Sequence, residues 1–335
     1  MLSIKYLKRS FLLLLIFLSS TFLSFSADKE NGGKFDMGEM IMHHILDDYQ
    51  YEIVHGLAIP LPIIIYSEKE GLMIFSSSRL FDENHVPLVG GYKGFKYDHG
   101  KLKALEPGIS YFDLSITKNV IFLILTSSLM IIVFLSVARG YSNKKSIPKG
   151  IQALFEPVIV LVRDDIVKKN IGSQYEKYLP YMLTLFFFIL FGNILGLLPA
   201  AANLTGNIAI TLSLAVFTFL LTNLSGNSHY WKHIFWTPGI PFVMRFLILP
   251  IEIIGLLTKP ISLTIRLFAA ITAGHIVILS FIGFTFIFQS YFVGVVSAIF
   301  VVGLNLIELL VAGIQAYVFT LFSSIYIGMA TEDGH

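Results

Sequence analysis

The sequence predicts an all-α polytopic membrane protein: transmembrane helices ending in a long tilted C-terminal helical hairpin, plus a small N-terminal extracytoplasmic α+β domain. Three observations predict it. The 335 residues are 55% hydrophobic and only 14% charged, with mean hydropathy +0.75, whereas a soluble chain carries roughly a quarter charged residues. Several apolar runs reach the ~20 residues that span a hydrocarbon core. Residues 27–110 break that pattern with a mixed polar and aromatic composition. The net charge of +2 indicates no nucleic-acid partner, and the absence of cysteine excludes disulfides, thiolate metal sites and cysteine nucleophiles.

Taken in order, residues 1–26 read as a signal peptide. Lys5, Lys8 and Arg9 precede the apolar run FLLLLIFL, and Ser24 and Ser26 supply small residues for cleavage. An uncleaved first membrane helix is the alternative, and either reading places the next segment outside. In 27–110, GEMIMHHILDDY (38–49) has an amphipathic helical pattern. LAIPLPIIIY (57–66) and GLMIF (71–75) read as strands, and YKGFKYDHGKL (92–102) as a hairpin. His43, His44, Asp47, Asp48 and His55 match no metal-site spacing and read as a solvated face.

The membrane part, 111–335, begins with a span at about 116–138, followed by Arg139, Lys144, Lys145 and Lys149, which mark the cytoplasmic side. Residues 151–170 run from apolar to mixed charge and predict a helix lying on the cytoplasmic face. Further spans are predicted at 179–198 and 207–226, separated by an uncharged outer loop. The chain then returns to Lys232 and Arg245, beside His229 and His233. From Arg245 to Tyr326 it is almost wholly apolar, with one break at Gln289-Ser290-Tyr291. That predicts two helices, 245–288 and 292–328. Each is roughly 60 Å long at ~1.5 Å per residue, twice the hydrocarbon thickness. They must tilt, or bend at Pro250 and Pro260. The C-terminus falls inside.

These two helices carry Glu252, Lys259, Arg266, His275 and Glu308, with Gln315 as a polar companion. Ionisable groups inside a membrane are costly and point to function. In an antiparallel hairpin, residues equidistant from the turn share one depth. Arg266 stands about 23 residues before it and Gln315 about 25 after, a mismatch of ~3 Å. His275 and Glu308 fall within ~6 Å in depth by the same rise. The expected neighbours are therefore Arg266 with Gln315, and His275 with Glu308 nearer the outside. Glu252 lies toward the cytoplasm. A His/Glu pair can pass protons near neutral pH, and an arginine, which keeps its proton, blocks direct leak between two half-paths. Two bland readings compete: Arg266 snorkelling to the cytoplasmic interface as Lys259 does, and His275 as an interhelical hydrogen-bonding residue.

IEIIGLLTKPISLTIRLFAAITAGH (251–275), LIELLVAGIQAYVFTLFSSIYIGMA (306–330) and FGNILGLLP (191–199) resemble the a subunit of rotary F-type ATP synthases. The resemblance covers roughly 116–332 and leaves 27–110 unassigned. It implies a stator beside a ring of c subunits, with the b subunit of the peripheral stalk, the rest of the complex and membrane lipid as further partners, and no cofactor. By position it implies that Arg266 separates two half-channels, that Gln315 stands beside it, and that His275 and Glu308 form the outer pair. Glu252 takes the cytoplasmic acidic position, and Asn193 lies near the outer path. Ala269-Ala270 stands where many members have Gly-Asn, which removes one polar group beside Arg266. The implied function is proton conduction coupled to ring rotation and ATP synthesis, in the bacterial inner membrane. The chain has no phosphate-loop motif, so nucleotide chemistry belongs to other subunits of the enzyme. The alternatives are an independent ion-coupled secondary transporter, for which no repeat is evident, and a membrane anchor for the N-terminal domain.

Overall fold

A computed structural model describes residues 37–54, 57–82, 87–88, 90–98, 100–106, 108–141, 150–198, 201–236 and 241–332. The expected signal peptide, His55 and the basic residues Lys144, Lys145 and Lys149 lie outside the described residues, as does the end of the chain after Glu332. The protein is mostly helical, with a C-terminal helical hairpin and a small strand-bearing N-terminal region. It folds as two compact units: residues 1–125, 194–204 and 273–308 form the first, and 126–193, 205–272 and 309–335 the second.

The first unit starts with α1 (Met37–Ile45) and then seven short strands: β1 (Gln50–Val54), β2 (Leu57–Pro60), β3 (Pro62–Ser67), β4 (Gly71–Ser76), β5 (Phe95–Asp98), β6 (Lys101–Ala104) and β7 (Tyr111–Asp113). They pair antiparallel as β1-β2, β4-β3-β7 and β5-β6. The period-2 pattern of β3 sends Ile63 and Ile65 into a core with Met73, Phe75, Leu80 and Phe95. Tyr49, itself buried, donates its hydroxyl to Asp113 and ties the chain before β1 to β7.

The first membrane-length helix, α2 (Lys118–Gly140), grows directly out of this domain. The first N–H groups of a helix have no partner within it. Here the Lys118 N–H donates to the Asp48 carbonyl (2.8 Å) and the Asn119 N–H to Asp47 Oδ1 (3.0 Å). A segment 70 residues upstream thus caps the span.

In the second unit, α3 (Ile151–Val160) continues as a π-helical stretch, Leu161–Lys168, and a last α turn, Lys169–Ile171. Val162, Ile166 and Val167 of this stretch are fully buried in protein. It packs under the end of the chain, where Ser324 Oγ donates to the Ile166 carbonyl (3.4 Å). A Cβ on Gly328 would lie 2.1 Å from the Asn170 carbonyl oxygen, so only glycine fits there. Next come α4 (Tyr175–Gly196), α5 (Ile208–Leu224) and α6 (Ser228–Phe235), the last bent 104° from α5. The hairpin is α7 (Phe242–Phe288) and α8 (Tyr291–Thr331), 47 and 41 residues long, and Gln289 has a positive φ of 44° at the break. Pro250 and Pro260 lie inside α7, which stays helical through both. Thr264 Oγ1 donates to the Pro260 carbonyl (2.8 Å). In the second unit α7 buries Leu263, Leu267 and Ile271, a stripe of four-residue spacing, against a core that includes Phe187, Ala316 and Phe319. Among the described residues, four helical stretches are long and apolar enough to cross a membrane, or five with the bent pair α5–α6.

Burial first, and then the neighbouring Asp113, raise the Tyr49 phenol above its ordinary range. Burial and Asp48 do the same to Tyr97. Both phenols therefore favour the neutral form in the fold. Their contribution is complete below the unfolded phenol pKa of about 10 and is lost as pH climbs from there through the raised folded values. We expect Tyr49→Phe to cost the N-terminal domain about 1 kcal/mol at neutral pH. It should also lose less than wild type on going to about pH 11. Urea-dependent proteolysis of this domain, at both pH values in both proteins, measures the difference.

Candidate functional site

Within the first unit, α7 and α8 bring His275 and Glu308 into direct contact: His275 Nδ1 is hydrogen-bonded to Glu308 Oε1. The other ring nitrogen, Nε2, lies 3.3 Å from the carbonyl oxygen of Gly196, which closes α4. A carbonyl only accepts, so this contact places a proton on Nε2. Nδ1 then either donates to a Glu308 carboxylate or accepts from its protonated form. Either way one proton lies between Nδ1 and Oε1. Glu308 is 4% exposed and His275 16%. Glu308 Oε2 is buried without a hydrogen-bond partner, a costly state for an acceptor in a low-dielectric setting.

Gly274 gives the pair room. A Cβ at Gly274 would lie 3.0 Å from Glu308 Oε1 and 3.1 Å from its carboxyl carbon. The carboxyl group would have to shift by a few tenths of an ångström to admit a larger residue. A glycine in the middle of a long apolar helix, just before a histidine, was the available signal. Small residues let neighbouring helices approach closely.

In the second unit, the Arg266 guanidinium lies over the Phe322 ring, 4.2 Å from its centre. Its Nη1 is buried without a hydrogen-bond partner. The structure shows no hydrogen bond from Arg266 to Gln315, which is half-buried. The expected contact compared backbone depths. Helical side chains lean toward their helix N-terminus. On α7 that direction points the long arginine side chain toward the C-terminal part of α8, where Phe322 stands, seven residues after Gln315. The ring attracts the cation through its quadrupole but leaves hydrogen-bonding capacity unused.

Glu252 is half-buried on α7, and its charge acts on both Lys259 and Tyr230. The Lys259 ammonium lies 5.3 Å from the Tyr326 ring centre and 6.0 Å from that of Tyr230. Lys259, Tyr230 and Tyr326, with Thr218, Thr222 and Asn223, line a small cavity of about 10 Å³, room for one water; Glu252 is not part of its lining. The sequence pattern placed Lys259 at an interface and carried no sign of the hydroxyls around it, which come from three other helices. Asn193 is buried with both ends of its amide engaged: Oδ1 accepts from Thr205 Oγ1 (2.6 Å) and Nδ2 donates to the Ala312 carbonyl (3.4 Å). It joins α4, the segment before α5, and α8.

We expect Gly274→Ala to push the Glu308 carboxyl away from His275 and to destabilise the hairpin by about 1–3 kcal/mol, the usual cost of overpacking. Gly303→Ala is the control, since a Cβ there meets nothing within 4 Å. Thermal unfolding of the two purified variants beside wild type checks this.

Comparison with known proteins accords with this geometry. The family model described as ATP synthase A chain matches residues 120–328, and a domain of unknown function matches 40–120. ATP synthase subunit a 2 of Prosthecochloris aestuarii is 40% identical over 321 residues, 92% of this chain and 85% of that protein. The Chlorobium luteolum ATP synthase subunit a 2 is 45% identical over 302 residues, 88% and 76% of the two chains. ATP synthase subunit a of an Anaeromyxobacter species is 33% identical over 326 residues, 92% and 75%. The similarity therefore extends into the N-terminal domain, which the membrane motifs by themselves left uncovered. With a family model covering more than half of the residues and relatives aligned along nearly the whole chain, this protein belongs to the ATP synthase A chain family.

Proposed function

We propose that this chain is the proton-conducting stator a subunit of a rotary ATP synthase, providing two offset half-channels to a ring of c subunits. It is a multi-pass membrane subunit of that complex. In this reading it sits in a bacterial inner membrane, with the N-terminal domain outside and the C-terminus in the cytoplasm. The b subunit of the peripheral stalk holds it against the ring.

The observation that carries the reading is the buried His275–Glu308 pair, with its shared proton and its unpartnered second carboxylate oxygen. A proton arriving from outside binds the pair at Nδ1 or Oε1. From there it passes to a carboxylate on the ring. Arg266 lies nine residues before His275 on α7. Its fixed charge draws the next ring carboxylate into the ionised form, and its unused donor has that carboxylate as its partner. A permanent cation also refuses a proton crossing straight between the two half-paths. Release toward the cytoplasm runs past Glu252, near the cavity beside Lys259. Asn193, hydrogen-bonded at both ends of its amide, ties α4 to α8 and to the segment before α5.

ATP-driven acidification of inverted membrane vesicles tests the assignment. Arg266→Ala should abolish pumping while the ring still co-purifies. Wild-type pumping in this variant would reduce Arg266 to an interfacial anchor. The pair has its own test. His275→Ala and Glu308→Gln should each lower the pumping rate at least about a hundredfold if proton transfer becomes limiting, the lower range for loss of a general acid–base. The exchange His275→Glu with Glu308→His keeps one of each group and should recover part of that loss. An exchange no better than either single change would show that the two do not work as a pair.

A further inference from the structure

The β4-β3-β7 sheet is apolar on both faces. Ile63, Ile65, Met73 and Phe75 point into the domain core. The alternate residues are Ile64, Tyr66, Leu72, Ile74, Phe112 and Leu114. Strand register makes them neighbours on one surface: Ile64 pairs with Ile74, and Tyr66 with both Leu72 and Phe112. The Leu114 N–H donates to the Ile64 carbonyl (2.9 Å) and extends the row. Leu72 and Ile74 are each 60% exposed, Leu114 63% and Phe112 70%. An antiparallel sheet with one solvated face normally carries polar residues there, and soluble surfaces rarely hold contiguous apolar patches of this kind. None of the six is charged. Charge collects instead at the β3–β4 turn, in Glu68, Lys69 and Glu70, where Lys69 pairs with Glu106 at 2.8 Å.

Position says what covers this face. The 23 residues of α2 make ~34 Å of helix, slightly more than the ~30 Å hydrocarbon core. Lys118 therefore stands at the edge of that core. Leu114 precedes it by four residues, so it can rise no more than ~14 Å above. The two caps from Asp47 and Asp48 bind the domain to the top of the span. The apolar row also continues by covalent connection into Val120 and Ile124, outward-facing residues of α2 itself.

We infer that the outer face of the β4-β3-β7 sheet docks on the membrane lipid beside α2. Tyr66 and Phe112 sit at headgroup level, where aromatic rings are favoured. Leu72, Ile74 and Leu114 enter the acyl boundary, as the apolar side of an interfacial helix does. The inference needs α2 to span the membrane and does not depend on the proton path.

The chain contains no cysteine, so single cysteines at Leu72, Ile74 and Phe112 each accept a nitroxide label. The experiment uses the assembled complex in lipid nanodiscs, with partner cysteines replaced. Lys101, an exposed residue of β6, is the aqueous reference. Power saturation should show collision with oxygen exceeding collision with a water-soluble nickel chelate at all three sites, the reverse of Lys101. Nickel-chelate collision as high as at Lys101 would place the face in water. Low collision with both reagents would place it under another protein. Either result overturns lipid docking. Where one cysteine prevents assembly, the other two carry the same readout.

Discussion

Hydrocarbon gives polar groups no partner of its own, and the hairpin α7–α8 is organised by that constraint. Every backbone group must be satisfied within the protein, and each ionisable side chain needs a companion. Most polar side chains here answer it locally. Thr264, Ser280, Ser323 and Thr331 each return their hydroxyl to a carbonyl four residues earlier on their own helix. The longer groups have to find partners elsewhere. His275 takes Glu308 on one nitrogen and the Gly196 carbonyl on the other. Arg266 takes a ring face. Four buried atoms of the hairpin have no hydrogen-bond partner among the described residues: Thr272 Oγ1, Thr320 Oγ1, Glu308 Oε2 and Arg266 Nη1. The last two belong to ionisable groups, for which a missing partner costs most. In the proposed function these are the points where a proton and a ring carboxylate act.

How much of this the sequence disclosed depends on the range of the physics involved. Apolar run length is local, and it located the membrane-length helices and the break at Gln289-Ser290-Tyr291. Strand patterning is local too, and it located β3 and β4, but the run Ile63-Ile64-Ile65-Tyr66 is apolar at successive positions and did not say which face is the core. Equal depth in an antiparallel hairpin is the simplest non-local rule, and it paired His275 with Glu308. The same rule gave no hint of the Phe322 ring under Arg266, because it compares backbones while a guanidinium acts from the end of a long, leaning side chain. Gly274 left a faint signal, a glycine inside a long apolar helix, while the Gly196 carbonyl and the Lys259 cavity were beyond reach. Each gains its meaning from an atom on another helix. The π-helical stretch at Leu161–Lys168 was equally hidden, because a change in hydrogen-bond register leaves little mark in hydropathy.

The first unit holds two parts of the chain that look unrelated in sequence: a small strand-rich domain and the turn end of the hairpin. The domain makes one contact with α2 and another with α7. The domain caps α2 through Asp47 and Asp48. The side chain of Met37 on α1 packs against Gly283, two turns beyond His275 on α7, so closely that a Cβ at Gly283 would lie 3.0 Å from the methionine methyl. The domain therefore touches both the entry span and the helix that carries the histidine. The matches of the relatives across most of this chain agree with an N-terminal domain retained together with the membrane helices.

That join bears on the proton transfer proposed for His275 and Glu308. Transfer between Nδ1 and Oε1 requires the two helices to keep their relative depth, and the sliding of one long helix past another is opposed only by contacts along the seam. Near the pair those contacts are small or apolar: Gly274 against the carboxyl group, Phe281 stacked on Phe300 with ring centres 5.2 Å apart, and Gly294 beside Thr285. None of them is directional enough to set a register by itself. A domain fixed to α2 by backbone hydrogen bonds, and seated on α7 through Met37, adds a constraint from outside the seam. If its sheet also rests on lipid, that constraint is referred to the plane of the membrane. The depth of the His275–Glu308 pair is then set by the bilayer as well as by the hairpin.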